Sequence, residues 1–113
     1  MSERPTPPPA GEVVWAQDAA GPLLRFVGVI DRDAVRRFRL LVPPSSWPPR
    51  ADLAECTDLD AAGLELLVHL ARKPRRRGAA LELLTVPGPL RPVLARAGLS
   101  QLVARTDGTP TSA

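Results

Sequence analysis

Two β-rich runs open the apolar pattern of the chain, Glu12 to Gln17 and Leu23 to Ile30, with the turn residues Asp18 to Pro22 between them. This arrangement predicts a hairpin. In the second run Leu24, Phe26, Gly28 and Ile30 share one face, while Leu23, Arg25, Val27 and Val29 share the other. Both faces are mostly apolar, which predicts a central strand covered on both sides. The period then changes. Ala34, Val35, Phe38 and Leu41 recur at i, i+1, i+4 and i+7, the signature of an amphipathic helix with Asp31 as its N-cap. Prolines from Pro43 to Pro49 stop that helix, because proline lacks an amide donor and restricts its predecessor.

A short strand is expected over Ala51–Leu59, followed by a helix capped by Asp60. Its expected core stripe is Leu64, Leu67, Val68 and Ala71, with Glu65, His69 and Arg72 on the opposite side. The residues from Ala79 to Val86 form the next expected strand. Pro89 to Ala97 then make a helix that buries Leu90, Val93, Leu94 and Ala97 and closes at Gly98. The order is β-β-α-β-α-β-α, an α/β class with a four-stranded mixed sheet and three helices packed on it. A chain of 113 residues fits one domain. Residues 11–104 are expected to fold, with a Pro-rich tail at 1–10 and a polar tail at 105–113, both disordered.

Charge and composition narrow the function. The net charge of +3 comes with no tyrosine, two phenylalanines and two tryptophans, which is little aromatic surface for stacking on bases. The basic run from Arg72 to Arg77 falls at an expected helix end, where cations complement the exposed carbonyls. No nucleic acid is therefore expected as a partner. The apolar runs are too short to span a bilayer and the first residues carry no signal-peptide core, so a cytoplasmic protein without membrane insertion is expected. Cys56 is the single cysteine and reads as a small buried apolar residue. No metal or cofactor site is expected. His69 lies on a polar helix face, Asp31 and Asp60 read as caps, and the evenly spaced Gly78, Gly88 and Gly98 form no phosphate loop, so no catalytic residues are assigned. Trp47 is expected to cover the end of the core rather than anchor a partner.

The stretch from Asp52 to Leu64 reads D-L-A-E-C-T-D-L-D-A-A-G-L, with G-V-I-D before the first helix and L-A-R-A-G-L near the end. With the order of elements, these motifs resemble the STAS domain family, whose central pattern is D-L-S-G-V-x-x-x-D-S-S-G-L. The resemblance implies a protein-interaction module, not an enzyme, similar to the antagonists that bind an anti-sigma factor, often a serine kinase. In that family the kinase phosphorylates the serine after the motif aspartate and the complex separates. The matching position here is Ala61, and Ala62 beside it also lacks a hydroxyl. The resemblance therefore implies binding without the usual phosphorylation. The run from Asp60 to Leu70 is also similar to the small STAS subunit of a bacterial phospholipid ABC transporter, which docks on the ATPase; that is the alternative partner.

On this resemblance the partner-binding surface comprises Asp31, Arg32, Asp58, Asp60, Ala61, Ala62, Glu65, Leu66 and His69. Leu66 has two readings. It lies off the expected core stripe, so it is either a partly exposed contact for a partner or a residue packed against the first helix.

Overall fold

The computed structural model describes residues 11–73 and 81–99. Both expected tails, residues 100–104 of the expected domain and most of the Arg72 to Arg77 run lie outside the described residues. The described elements are β1 (Glu12–Asp18), β2 (Gly21–Ile30), α1 (Arg32–Leu41), β3 (Arg50–Leu59), α2 (Ala61–Arg72), β4 (Glu82–Leu83) and α3 (Arg91–Arg96). Single 3-10 turns lie at Pro44–Ser46 and Gly88–Leu90. The strands form one mixed sheet in the order β1-β2-β3-β4, antiparallel in the first pair and parallel in the other two. This is the expected α/β architecture.

Leu24, Phe26 and Ile30 of β2 are fully buried in the core, together with Ala34, Val35 and Phe38 of α1 and Leu66, Leu67 and Leu70 of α2. The opposite face of β2 is less covered than expected. Leu23 is buried there, but Val27 is only partly covered, Arg25 is exposed and Val29 is 45% exposed. β2 is central in the sheet and sealed on one face only.

β3 does not alternate simply. Its buried residues are Ala51, Leu53, Cys56 and Leu59, a spacing that lengthens from two to three. The pairing with β2 explains this. Arg25 to Val27 faces Asp52 to Glu55, and Gly28 to Val29 faces Cys56 to Asp58, so β3 carries one extra residue at each step. Such bulges turn side chains onto a new face and free backbone amides. Asp52 accepts from the Ala54 amide at 2.9 Å, and Asp58 from the Leu59 amide at 2.9 Å. These two motif aspartates thus serve the backbone where the ladder is irregular.

Ala79 and Ala80 of the expected fourth strand lie outside the described residues. Among the described residues the regular ladder of β4 covers Glu82–Leu83, and beyond it Leu84 still donates to the Ala51 carbonyl and Thr85 accepts from the Leu53 amide. Regular pairing ends where the first extra residue of β3 begins. Arg50 ties this side of the sheet to the hairpin. Its guanidinium donates to both carboxylate oxygens of Asp18, at 2.7 and 2.8 Å, and to the Gly21 carbonyl at 3.2 Å. Glu82 lies 3.7 Å from the same group.

α1 begins at Asp31, whose carboxylate accepts from the Ala34 amide at 2.9 Å. Leu41 was expected in its buried stripe but is 81% exposed. The stripe leaves the helix one residue later, where the C-cap Val42 packs against the core. Trp47 closes this end as expected. It is 8% exposed, stacks on Phe38 with ring centres 5.6 Å apart, and donates to the Val42 carbonyl at 3.0 Å. At the other end of the chain, α3 buries Leu90 just before it and Leu94 within it, while Val93 and Ala97 are half-buried. Gly98 stands at φ +86° after it, and the Leu99 amide reaches back to the Leu94 carbonyl at 3.0 Å, the helix-closing geometry that glycine favours.

The buried face of α2 is Gly63, Leu66, Leu67 and Leu70, spaced i, i+3, i+4 and i+7. This corrects the expected stripe by about one residue of rotation. Leu64, Val68 and Ala71 are half-buried at its flank, and Leu66 is fully buried. The exposed-contact reading of Leu66 is therefore overturned. The helix is apolar on most of its circumference, so periodicity alone could not choose its inward face. Each leucine contributes about 1.5–3 kcal/mol by burial against about 1 kcal/mol for the cap, so packing sets the rotation of the helix.

Leu66→Ala is expected to cost roughly 2–5 kcal/mol in urea unfolding, while Leu41→Ala stays within about 0.5 kcal/mol; equal effects would contradict the assigned face. The Asp18–Arg50 contact gives a pH dependence. Hydrogen bonds from Arg50, with a further one from the Ala20 amide, hold the Asp18 carboxyl down from 3.8 to about 2. Because the folded value is depressed, its stabilisation is present above pH 3.8 and fades as pH falls through about 2. Asp18→Asn should therefore lower the urea midpoint at pH 7, with the gap from the parent closing between pH 4 and 2; a gap constant with pH would count against the contact.

Candidate functional site

α2 starts where β2 and β3 end together, with Ile30 paired to Leu59. The Asp60 amide donates to the Ile30 carbonyl at 3.2 Å, and the Asp60 carboxylate accepts from the Gly63 amide at 3.0 Å. Gly63 then passes so close to β2 that a Cβ there would lie 2.7 Å from the Ile30 carbonyl oxygen and 3.0 Å from a methyl of Leu59. The glycine is required by proximity to the sheet, within ordinary helical backbone. With Gly63 turned inward, Ala61 is exposed at the first position of the helix and Ala62 is half-buried beside it.

These alanines border an open groove of about 530 Å³ between the two helices. α1 contributes Arg32, Val35, Arg36, Arg39 and Leu40, and α2 contributes Ala61, Ala62, Glu65 and His69. Val35 is buried, whereas Leu40 is 79% exposed. Arg39 is held from two sides. It donates to His69 Nδ1 at 3.0 Å, which requires the nitrogen to present its lone pair, and its guanidinium lies 5.6 Å from the centre of the Trp47 ring. Arg36 pairs with Asp33 at 3.2 Å on the surface. Arg37 points away and donates to the Gly11 carbonyl at 2.8 Å, tying α1 to the start of β1. A second hollow of about 310 Å³ continues from Arg39 and His69 past Trp47 to Arg72 and Lys73.

Of the surface expected from the sequence, Arg32, Ala61, Ala62, Glu65 and His69 come together in this groove. Asp31 and Asp60 serve as helix caps, and Asp58 turns its carboxylate to the Leu59 amide. Leu66 faces the core. Arg36, Arg39 and Leu40 were missed, although Arg32, Arg36 and Arg39 stand at i, i+4 and i+7 and were readable as one helix face. Cys56 is 3% exposed, and burial pushes its thiol up to about 11, which keeps it protonated and poorly nucleophilic. Among the described residues, no helix is long and apolar enough to cross a membrane.

Fold and groove define a small α/β domain that presents the start of one helix beside a basic neighbour. The chain belongs to the STAS domain family: the family model described as "Mlab, STAS domain" matches residues 14–104. STAS domains are generally non-catalytic binding modules. A search of curated proteins finds no match.

Gly63→Ala tests the close approach that positions the site. The added methyl meets backbone at 2.7 Å, so the first turn of α2 must move, at an expected cost of about 1–3 kcal/mol in urea unfolding, with amide NMR shifts confined to residues around Ile30 and Ala61. Unchanged stability would contradict this packing.

Proposed function

We propose that the chain is a non-catalytic binding module that holds a protein partner on the α1–α2 groove and has given up phosphorylation at the position that usually controls release. The carrying observation is Ala61, exposed at the first position of α2 and bordering the groove. The resemblance of its motif assigns the phosphorylated serine to that place. A phosphate would bring about 1.5–2 negative charges and disrupt a packed contact by repulsion and desolvation. Alanine is small and uncharged, so it mimics the unmodified, binding-competent state.

The partner on this reading is an anti-sigma factor or serine kinase of the cytoplasm, with residues 11–104 acting as one domain and the chain as its antagonist. A second reading is supported by the description of the matching family model: the chain is the STAS accessory subunit of a phospholipid-type ABC transporter and docks on its ATPase. Both use the start of α2, and neither needs a cofactor.

Affinity purification of the parent chain from its native cells, with identification of what binds, separates the two partners. Ala61→Asp should lower recovery of that partner about tenfold or more, whereas Ala61→Ser should retain it until the serine is phosphorylated. Equal recovery with Ala61→Asp would overturn the proposal.

A further inference from the structure

We infer that the segment seated in the groove is an acidic amphipathic helix of the protein partner, with its carboxylates facing Arg32, Arg36 and Arg39 and its apolar side on Leu40, Ala61 and Ala62. This rests on the reading of the groove as the partner surface, and adds the chemistry of the occupant.

Charge is the first support. Three guanidiniums line the α1 wall, and with a rise of about 1.5 Å per residue they span about 10 Å along one helix face. A partner helix with acidic residues at the same i, i+4 and i+7 spacing places its carboxylates in the same period. Arginine suits this role because its planar fork can take a carboxylate through two parallel hydrogen bonds.

Ordering is the second. His69 Nδ1 and the Trp47 ring hold Arg39 in place before any partner arrives, so less side-chain freedom is lost on binding. The pair of Arg36 with Asp33 is shallow, with side chains 71% and 63% exposed. Surface pairs of this kind contribute little and exchange readily for a better acceptor.

The distribution of charge selects a helix over a polyanion. The three guanidiniums stand on the α1 side with Val35 and Leu40, while the α2 side carries Ala61, Ala62, His69 and the acidic Glu65. A nucleic acid backbone or a cluster of anionic headgroups presents charge in all directions and would meet Glu65 unfavourably. A helix with one acidic stripe and one apolar stripe can set the first against the arginines and the second against Leu40, Ala61 and Ala62, keeping its carboxylates away from Glu65. Leu40, at 79% exposure beside two alanines, then supplies the apolar centre inside a charged rim.

Site-specific photocrosslinking in the native cells tests this, with benzoylphenylalanine replacing Leu40 in one full-length chain and Val14 in a control, followed by sequencing of the crosslinked peptide. Leu40 should capture one protein segment of net negative charge, with Asp or Glu recurring at helical spacing, and Val14 should not capture it. Adding Arg36→Glu should lower the Leu40 yield about tenfold or more, with the circular dichroism spectrum unchanged. A neutral or basic segment, an extended strand, a nucleic acid or a lipid crosslinked at Leu40 would overturn the inference. A neutral or basic protein segment there would still leave the groove as the partner surface. Capture at Val14 but not Leu40 would overturn both.

Discussion

The contact between the first turn of α2 and the end of β2 governs what this molecule can present. Gly63 has no room for a side chain against the Ile30 carbonyl, and the same carbonyl receives the Asp60 amide. Together they fix where α2 begins and which way it is rotated. Leu66, Leu67 and Leu70 follow Gly63 into the core, and Ala61, Glu65 and His69 are left facing out. A side chain at position 63 would push the helix from the sheet, and the groove depends on that distance.

From this placement the electrostatics follow. α1 comes directly off the end of β2, capped by Asp31, so its outward arginines stand beside the start of α2. The amides at that start carry the positive end of the helix dipole, which adds to the field of Arg32, Arg36 and Arg39. Asp60 and Asp31 engage their carboxylates in the helix caps and Asp33 pairs with Arg36. Glu65 is therefore the one acidic residue among those lining the groove, and the exposed alanine at position 61 adds no charge. On the proposed reading, this surface takes an anionic side chain from a partner.

Much of this fold was legible in the sequence because its boundaries are chemically marked. Asp31 and Asp60 are side-chain caps in the structure, and the prolines after Leu41 end α1 where expected. What was not legible depends on contacts between distant residues. The extra residues of β3 exist only in its pairing with β2, so the roles of Asp52 and Asp58 in serving freed amides could not be read from alternation. The rotation of α2 was hidden because leucine and valine occupy most of its circumference, and the packing of Leu66, Leu67 and Leu70, with Gly63 close against β2, decides it. Leu66 was consequently given an open role at the interface that burial removes. The site itself was half visible: Ala61 and its neighbours, with Arg32, stood out through the motif and the capped helix starts, while Arg36 and Arg39 join them only through the packing of α1 against α2.

The central claim is that α1 and the start of α2 form the surface that partners use, and amide hydrogen exchange of the full-length chain, with and without its co-purified partner, tests it most directly. The account predicts slowed exchange in residues 31–41 and 61–69 on binding, with β1 and the open face around Val27 and Val29 unchanged. Slowed exchange confined to β1 and β2, with both helices unaltered, would contradict it.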